Sequence, residues 1–72
     1  MDTTSPDNAM LKARELFAES GLSLEELGQH MGYEAGTARR AAWQFLNKTN
    51  DPRLSMLRRF AEAVGADLKD IL

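Results

Sequence analysis

A chain of 72 residues buries only roughly 60% of its unfolded surface, so it supports one small core and no second domain. With no cysteine it has no disulfide scaffold, no cysteine metal site and no cysteine nucleophile. The net charge is −2, no apolar run approaches the roughly 20 residues of a membrane span, and the polar opening MDTTSPDNA lacks signal-peptide character; a soluble, cytoplasmic protein is the expectation.

In chain order, residues 1–8 read as a disordered polar tail and 9–72 as one folded domain. A first helix is expected to start at Asp7 or Asn8 and end at Ser20. Ala9, Leu11, Ala13, Leu16, Phe17 and Ser20 form its inner side, Leu16 and Phe17 serve as core anchors, and Gly21 is the stop. Ser23 and Glu26 then have the spacing of a capping box, and Leu22 and Leu27 that of a hydrophobic staple. Leu24, Leu27, Gly28 and Met31 recur at helical spacing, and Gly32 falls where a left-handed helix stop belongs. A further helix follows, with Ala38, Ala41, Ala42 and Phe45 as its apolar stripe. Two short helices joined by a glycine-containing turn make a helix-turn-helix, here over 23–47. The near-absence of a side chain at Gly28 lets the second helix cross the first closely. After a polar loop at 48–51, Asp51 and Pro52 are placed as N-cap and first-turn residue of a fourth helix. That helix is expected to bury Leu54, Leu57, Phe60, Ala61 and Val64 and to end at Gly65. Asp67 caps a last short turn whose Leu68, Ile71 and Leu72 close the core. No strand-like alternation occurs, so the fold is expected to be all-α with four or five helices.

The small net charge conceals a strong segregation. Residues 1–34 carry Lys12 and Arg14 against seven carboxylates, a balance of −5. Residues 35–60 carry Arg39, Arg40, Lys48, Arg53, Arg58 and Arg59 against Asp51 alone, a balance of +5. A basic block of this kind is the footprint of a phosphate-binding surface, although charge runs also serve simply to solvate helix faces.

The segment GLSLEELGQHMGY, the run Asn50-Asp51-Pro52-Arg53-Leu54 and the ending LRRFAEAVGADLKDIL together resemble the phage-repressor and Cro type of helix-turn-helix domain, the XRE-like family of transcriptional regulators. The resemblance spans 9–72. It implies a compact, lambda-repressor-like DNA-binding domain with a central helix-turn-helix. Three features depart from the family pattern. Leu24 stands where a glutamine is usual, Glu34 stands where the recognition helix usually has a serine or threonine N-cap, and about four extra residues separate Arg40 from Pro52. The last departure fits one additional turn on the recognition helix.

A helical wheel at roughly 100° per residue centres Ala38, Ala41, Ala42 and Phe45 on the interior. Gly36, Arg40, Trp43 and Asn47 point nearly opposite, with Thr37 and Gln44 on one flank and Arg39 on the other. In helix-turn-helix docking the first turns of the second helix meet base edges in the major groove. Gly36, Thr37 and Arg40 are thereby placed nearest the bases, with Gln44 further along. Arginine pairs with guanine, glutamine with adenine, and threonine with several partners. Arg39, Lys48 and Arg53 are the candidates for phosphate contacts that position the domain. For each of these the plain alternative is an exposed surface charge.

Trp43 points away from the core, in the extra turn, beyond where a recognition helix normally touches bases. Stacking on a base ill suits a duplex-binding helix, and two other readings stand beside it. Trp43 either folds over the 48–52 loop or the fourth helix, or it anchors a dimer or partner contact. His30 is the only histidine and has Glu34 as its nearest carboxylate, too few ligands for zinc. No phosphate loop and no nucleophile with a base is visible, so neither enzymatic activity, nor a cofactor, nor a small-molecule substrate is expected.

The functional expectation is a sequence-specific regulator of transcription, a repressor by preference. It would bind double-stranded DNA as a homodimer on half-sites about one helical turn apart. The alternative is a helix-turn-helix fold used for protein–protein contact, with Trp43 and the acidic first helix as its surface.

Overall fold

The computed structural model describes residues 6–49 and 51–71, and these form an all-helical bundle. Four helices, α1 (Pro6–Ser20), α2 (Leu24–His30), α3 (Ala35–Lys48) and α4 (Leu54–Val64), are followed by a single 3₁₀ turn at Leu68–Asp70. No strand occurs among the described residues, and no helix is long and apolar enough to cross a membrane. Of the tail expected at 1–8, residues 1–5 lie outside the described residues, as does the closing residue Leu72, while residues 6–8 belong to α1 rather than to a tail. Helix α1 begins at Pro6, earlier than expected; proline suits a first helical position because its φ is already helical and the missing N–H would have no intrahelical partner there.

Helix α1 presents Ala9, Met10 and Ala13 to the core, all buried, with Leu16 and Phe17 half-buried at its edge. Leu11, expected inside, is 53% exposed. It lies roughly 160° around the helix from Ala13, and Met10 takes the core position instead. The helix closes where the Ser20 hydroxyl donates to the Phe17 carbonyl (2.7 Å) and accepts from the Leu22 N–H (3.1 Å), and Gly21 turns left-handed at φ 77°.

The α2 cap forms as the spacing predicts. The Glu26 N–H donates to the Ser23 hydroxyl at 3.1 Å, and the Ser23 N–H donates to the Glu26 carboxylate at 2.9 Å. Two otherwise orphaned donors are satisfied reciprocally, which lets a seven-residue helix start cleanly. Leu27 is fully buried one residue before Gly28, and Gly32 at φ 105° ends the segment. A turn of four residues, 31–34, then leads into α3.

Helix α3 buries Ala38, Ala42, Phe45 and Leu46; Ala41, expected in that stripe, is half-buried. Phe45 meets Phe60 of α4 with ring centroids 5.4 Å apart, and Phe60 is among the largest fully enclosed side chains. Burying a side chain of this size is worth roughly 1.5–3 kcal/mol, a large share for so small a core. Helix α4 also buries Leu57, Ala61 and Ala63, with Val64 half-buried, and ends at Gly65 (φ 76°). Two expectations at its start are corrected. The N-cap is Arg53, not Asp51: the helix starts only at Leu54, Arg53 has the extended backbone of a cap (φ −73°, ψ 148°), and its carbonyl accepts from the N–H groups of Met56 and Leu57, both at 3.0 Å. Leu54, expected in the core, is the first helical residue and is 54% exposed. After Gly65 the chain returns through the 3₁₀ turn, where the Asp67 N–H donates to the Asp70 carboxylate at 3.0 Å and Ile71 closes the core.

Candidate nucleic-acid interface

Helix α3 supplies most of the candidate site, and its orientation is fixed from the inner side. Built onto Gly28, a Cβ would strike the carbonyl and Cα of Ala38, so the two helices meet backbone to backbone. That approach buries the Ala38–Ala42–Phe45 stripe and turns the opposite face outward. Gly36, Thr37, Arg39, Arg40, Trp43, Gln44, Asn47 and Lys48 are all exposed, and so is Arg53 beyond the helix.

The structure sorts these residues into two shallow grooves on either side of the helix. One is bounded by Gly36, Arg39, Arg40 and Trp43 of α3 together with Leu24 of α2. The other runs between α3 and the start of α4, where Gln44 and Lys48 face Arg53 and Arg59 across Tyr33 and Met56, with Asp51 at one edge. Thr37 lines neither groove; its hydroxyl donates to the Glu34 carbonyl at 3.3 Å, next to the helix start. The expected base-reading group is therefore divided, with Arg40 on one side and Gln44 on the other.

Two members of these grooves were not singled out by the sequence as site residues. Arg59 belongs to the basic block, and its spacing from Ser55 and Met56 on α4 carries it into the second groove. Leu24 stood out as part of the apolar spacing of α2 and as a departure from a family pattern, yet it forms a wall of the first groove.

Trp43 is 44% exposed and stands beside Leu24, Arg39 and Arg40 rather than in the groove that faces the 51–53 segment and α4. Its ring is steadied by Lys48, whose ammonium lies 5.8 Å from the ring centroid, within cation–π range.

The charges of the site are not neutralised internally. The ion pair found among the described residues, Lys12 with Glu15 at 3.8 Å, lies on α1, away from both grooves in sequence. The start of α3 carries both signs: N–H groups without an intrahelical partner, and the Glu34 carboxylate beside them. Glu34 occupies the N-cap without a side-chain hydrogen bond to the helix, and the first turn has no acidic residue. The N–H groups of Thr37 and Ala38 bond the Glu34 carbonyl at 3.0 and 2.8 Å, while those of Ala35 and Gly36 have no partner within the helix. Such N–H groups attract anions, and the carboxylate opposes them. The chemistry on offer is recognition of a polyanion by an exposed helix face. No group of three or more potential metal ligands occurs among the described residues.

At the far end of α3, Arg14 of α1 donates to the Leu46 carbonyl at 2.8 Å. A cation on the last carbonyls of a helix opposes the negative end of its dipole and ties α1 to the site-bearing helix. Comparison of the chain with known protein families, with curated proteins and with solved structures returned no match.

Proposed function

We propose that this protein is a sequence-specific regulator of transcription, of the phage-repressor and Cro kind that its sequence resembles, with a lambda-repressor-like helix-turn-helix formed by α2 and α3. In this reading α3 lies in the major groove of double-stranded DNA. Arg40 meets base edges beside Gly36, with Thr37 and Gln44 at its flanks, while Arg39, Lys48 and Arg53 hold phosphates. The observation that carries the proposal is the exposed outer face of α3, where Arg39, Arg40 and Lys48 stand without a carboxylate partner and Arg53 and Arg59 extend the same charge onto α4. Few phosphate contacts per copy give weak, salt-sensitive binding; a homodimer on two half-sites doubles them and suits repression by occupancy.

An Arg39→Ala/Arg40→Ala double variant tests this. The fold should survive, since both side chains are exposed, and duplex affinity should fall at least tenfold; undiminished affinity would remove the proposal. A second reading, a protein-contact module, draws on the exposed Trp43, Leu11 and Leu54. It gains if the double variant leaves DNA binding intact while Trp43→Ala abolishes self-association or capture of a partner.

A further inference from the structure

We infer that the groove between Leu24 and Trp43 selects a guanine adjacent to a pyrimidine carrying a 5-methyl group, as thymine and 5-methylcytosine do. The inference rests on the proposed DNA-binding role of α3 and assigns it a base step. Gly36, Arg40 and Trp43 are spaced i, i+4 and i+7, so they form one stripe along the helix, about 10 Å from first to last. Arg39 flanks the stripe, and Leu24 closes it from α2. At Gly36 even an added Cβ would meet nothing within 4 Å, so a base edge can come close to the backbone there.

The groove therefore offers two kinds of contact side by side. The guanidinium group of Arg40 provides the paired donors that guanine O6 and N7 accept, with Arg39 beside it for a phosphate. The Leu24 side chain and the Trp43 ring provide an apolar recess beside those donors, and the apolar feature of the major groove is the pyrimidine 5-methyl. Trp43 suits this use because its ring, with the Lys48 ammonium 5.8 Å from its centroid, borders the groove that contains both arginines. An unmethylated cytosine would leave the recess against water or against its own amino group, with no gain in apolar burial.

The test changes the DNA alone. Binding of the full chain is measured by fluorescence anisotropy to a 20-base-pair duplex of alternating T-G steps and to the same duplex with deoxyuridine in place of thymine, which removes only the methyl groups. The proposal predicts binding about fourfold weaker for each contacted methyl lost. A C-G duplex should likewise gain about fourfold on 5-methylation. Both differences should shrink towards unity in Trp43→Ala, which keeps the fold because the side chain is exposed. Equal affinity for the thymine and uracil duplexes, or a methyl effect that survives both Trp43→Ala and Leu24→Ala, would overturn the inference and leave DNA binding itself standing. No binding to any of the duplexes at low salt would overturn the DNA-binding reading and this inference with it.

Discussion

Gly28 and Ala38 meet backbone to backbone, and this contact, with the buried Ala42, Phe45 and Leu46, turns the opposite face of α3 outward. A Cβ at position 28 would collide with main-chain atoms that cannot rotate away, so the helices would have to part. Gly28→Ala is expected to destabilise the protein by about 3 kcal/mol, the upper range for overpacking. A domain of this size has only about 4–11 kcal/mol in total. Gly36 provides the contrast, because a Cβ there meets nothing. Gly36→Ala should stabilise by about 0.5 kcal/mol through reduced unfolded-state entropy. Urea denaturation of the two variants should show opposite shifts of midpoint; a neutral Gly28→Ala would contradict the close crossing.

Glu34 is a weak start for α3. It makes no side-chain bond to the helix, and its negative charge stands where phosphate would approach. Glu34→Ser should supply the missing acceptor and raise stability by about 0.5–1 kcal/mol. The same change should tighten duplex binding. A variant that gains stability without gaining affinity would place the start of α3 away from the DNA backbone.

The α2 cap should make stability depend on acid in a defined direction. The Ser23 N–H, and after it the Ser23 hydroxyl, hold the Glu26 carboxyl below the ordinary glutamate range. The folded state therefore binds the Glu26 proton more weakly than the unfolded chain does. The contribution of the ionised group is complete above the ordinary glutamate range and is lost as pH falls through the lowered folded value. Comparing denaturation of the native chain and Glu26→Ala across this window checks it: the gap between them should be constant above the window and close below it.

Alanine at Arg39, Lys48 or Arg53, taken one at a time, should weaken binding to all duplexes alike and reduce the salt slope by about one. Arg40→Ala should behave differently, costing about 1–3 kcal/mol on a preferred site and relaxing the preference at one base pair. If all four variants acted alike, base reading by Arg40 would be excluded.

The local features of the fold were legible because each depends on a few neighbouring residues. Ser23 and Glu26 fix a cap by spacing alone, and Gly21, Gly32 and Gly65 each adopt a positive φ where a helix stop was expected. What failed needed knowledge of neighbours. Leu11 is the exception: residues 9, 10, 13, 16 and 17 fall within about 120° of the α1 wheel and Leu11 lies outside that arc, so the spacing itself separates Met10 from Leu11. Leu54 has core spacing relative to Leu57, yet the first turn of α4 carries it out to solvent. The wheel correctly turned Arg39, Arg40, Trp43 and Gln44 outward. It could not show that Leu24 and Arg59, from two other helices, complete the grooves, nor that Arg14 reaches a carbonyl 32 residues away.

The central claim is that the outer face of α3 binds duplex DNA. Its most direct test is fluorescence anisotropy of the native chain with a random-sequence duplex pool, titrated from low to physiological salt. Three phosphate contacts per copy, from Arg39, Lys48 and Arg53, predict a log–log slope of about −3 for a single bound copy and about twice that for a dimer. Binding with such a slope supports the account, and no binding at low salt would contradict it.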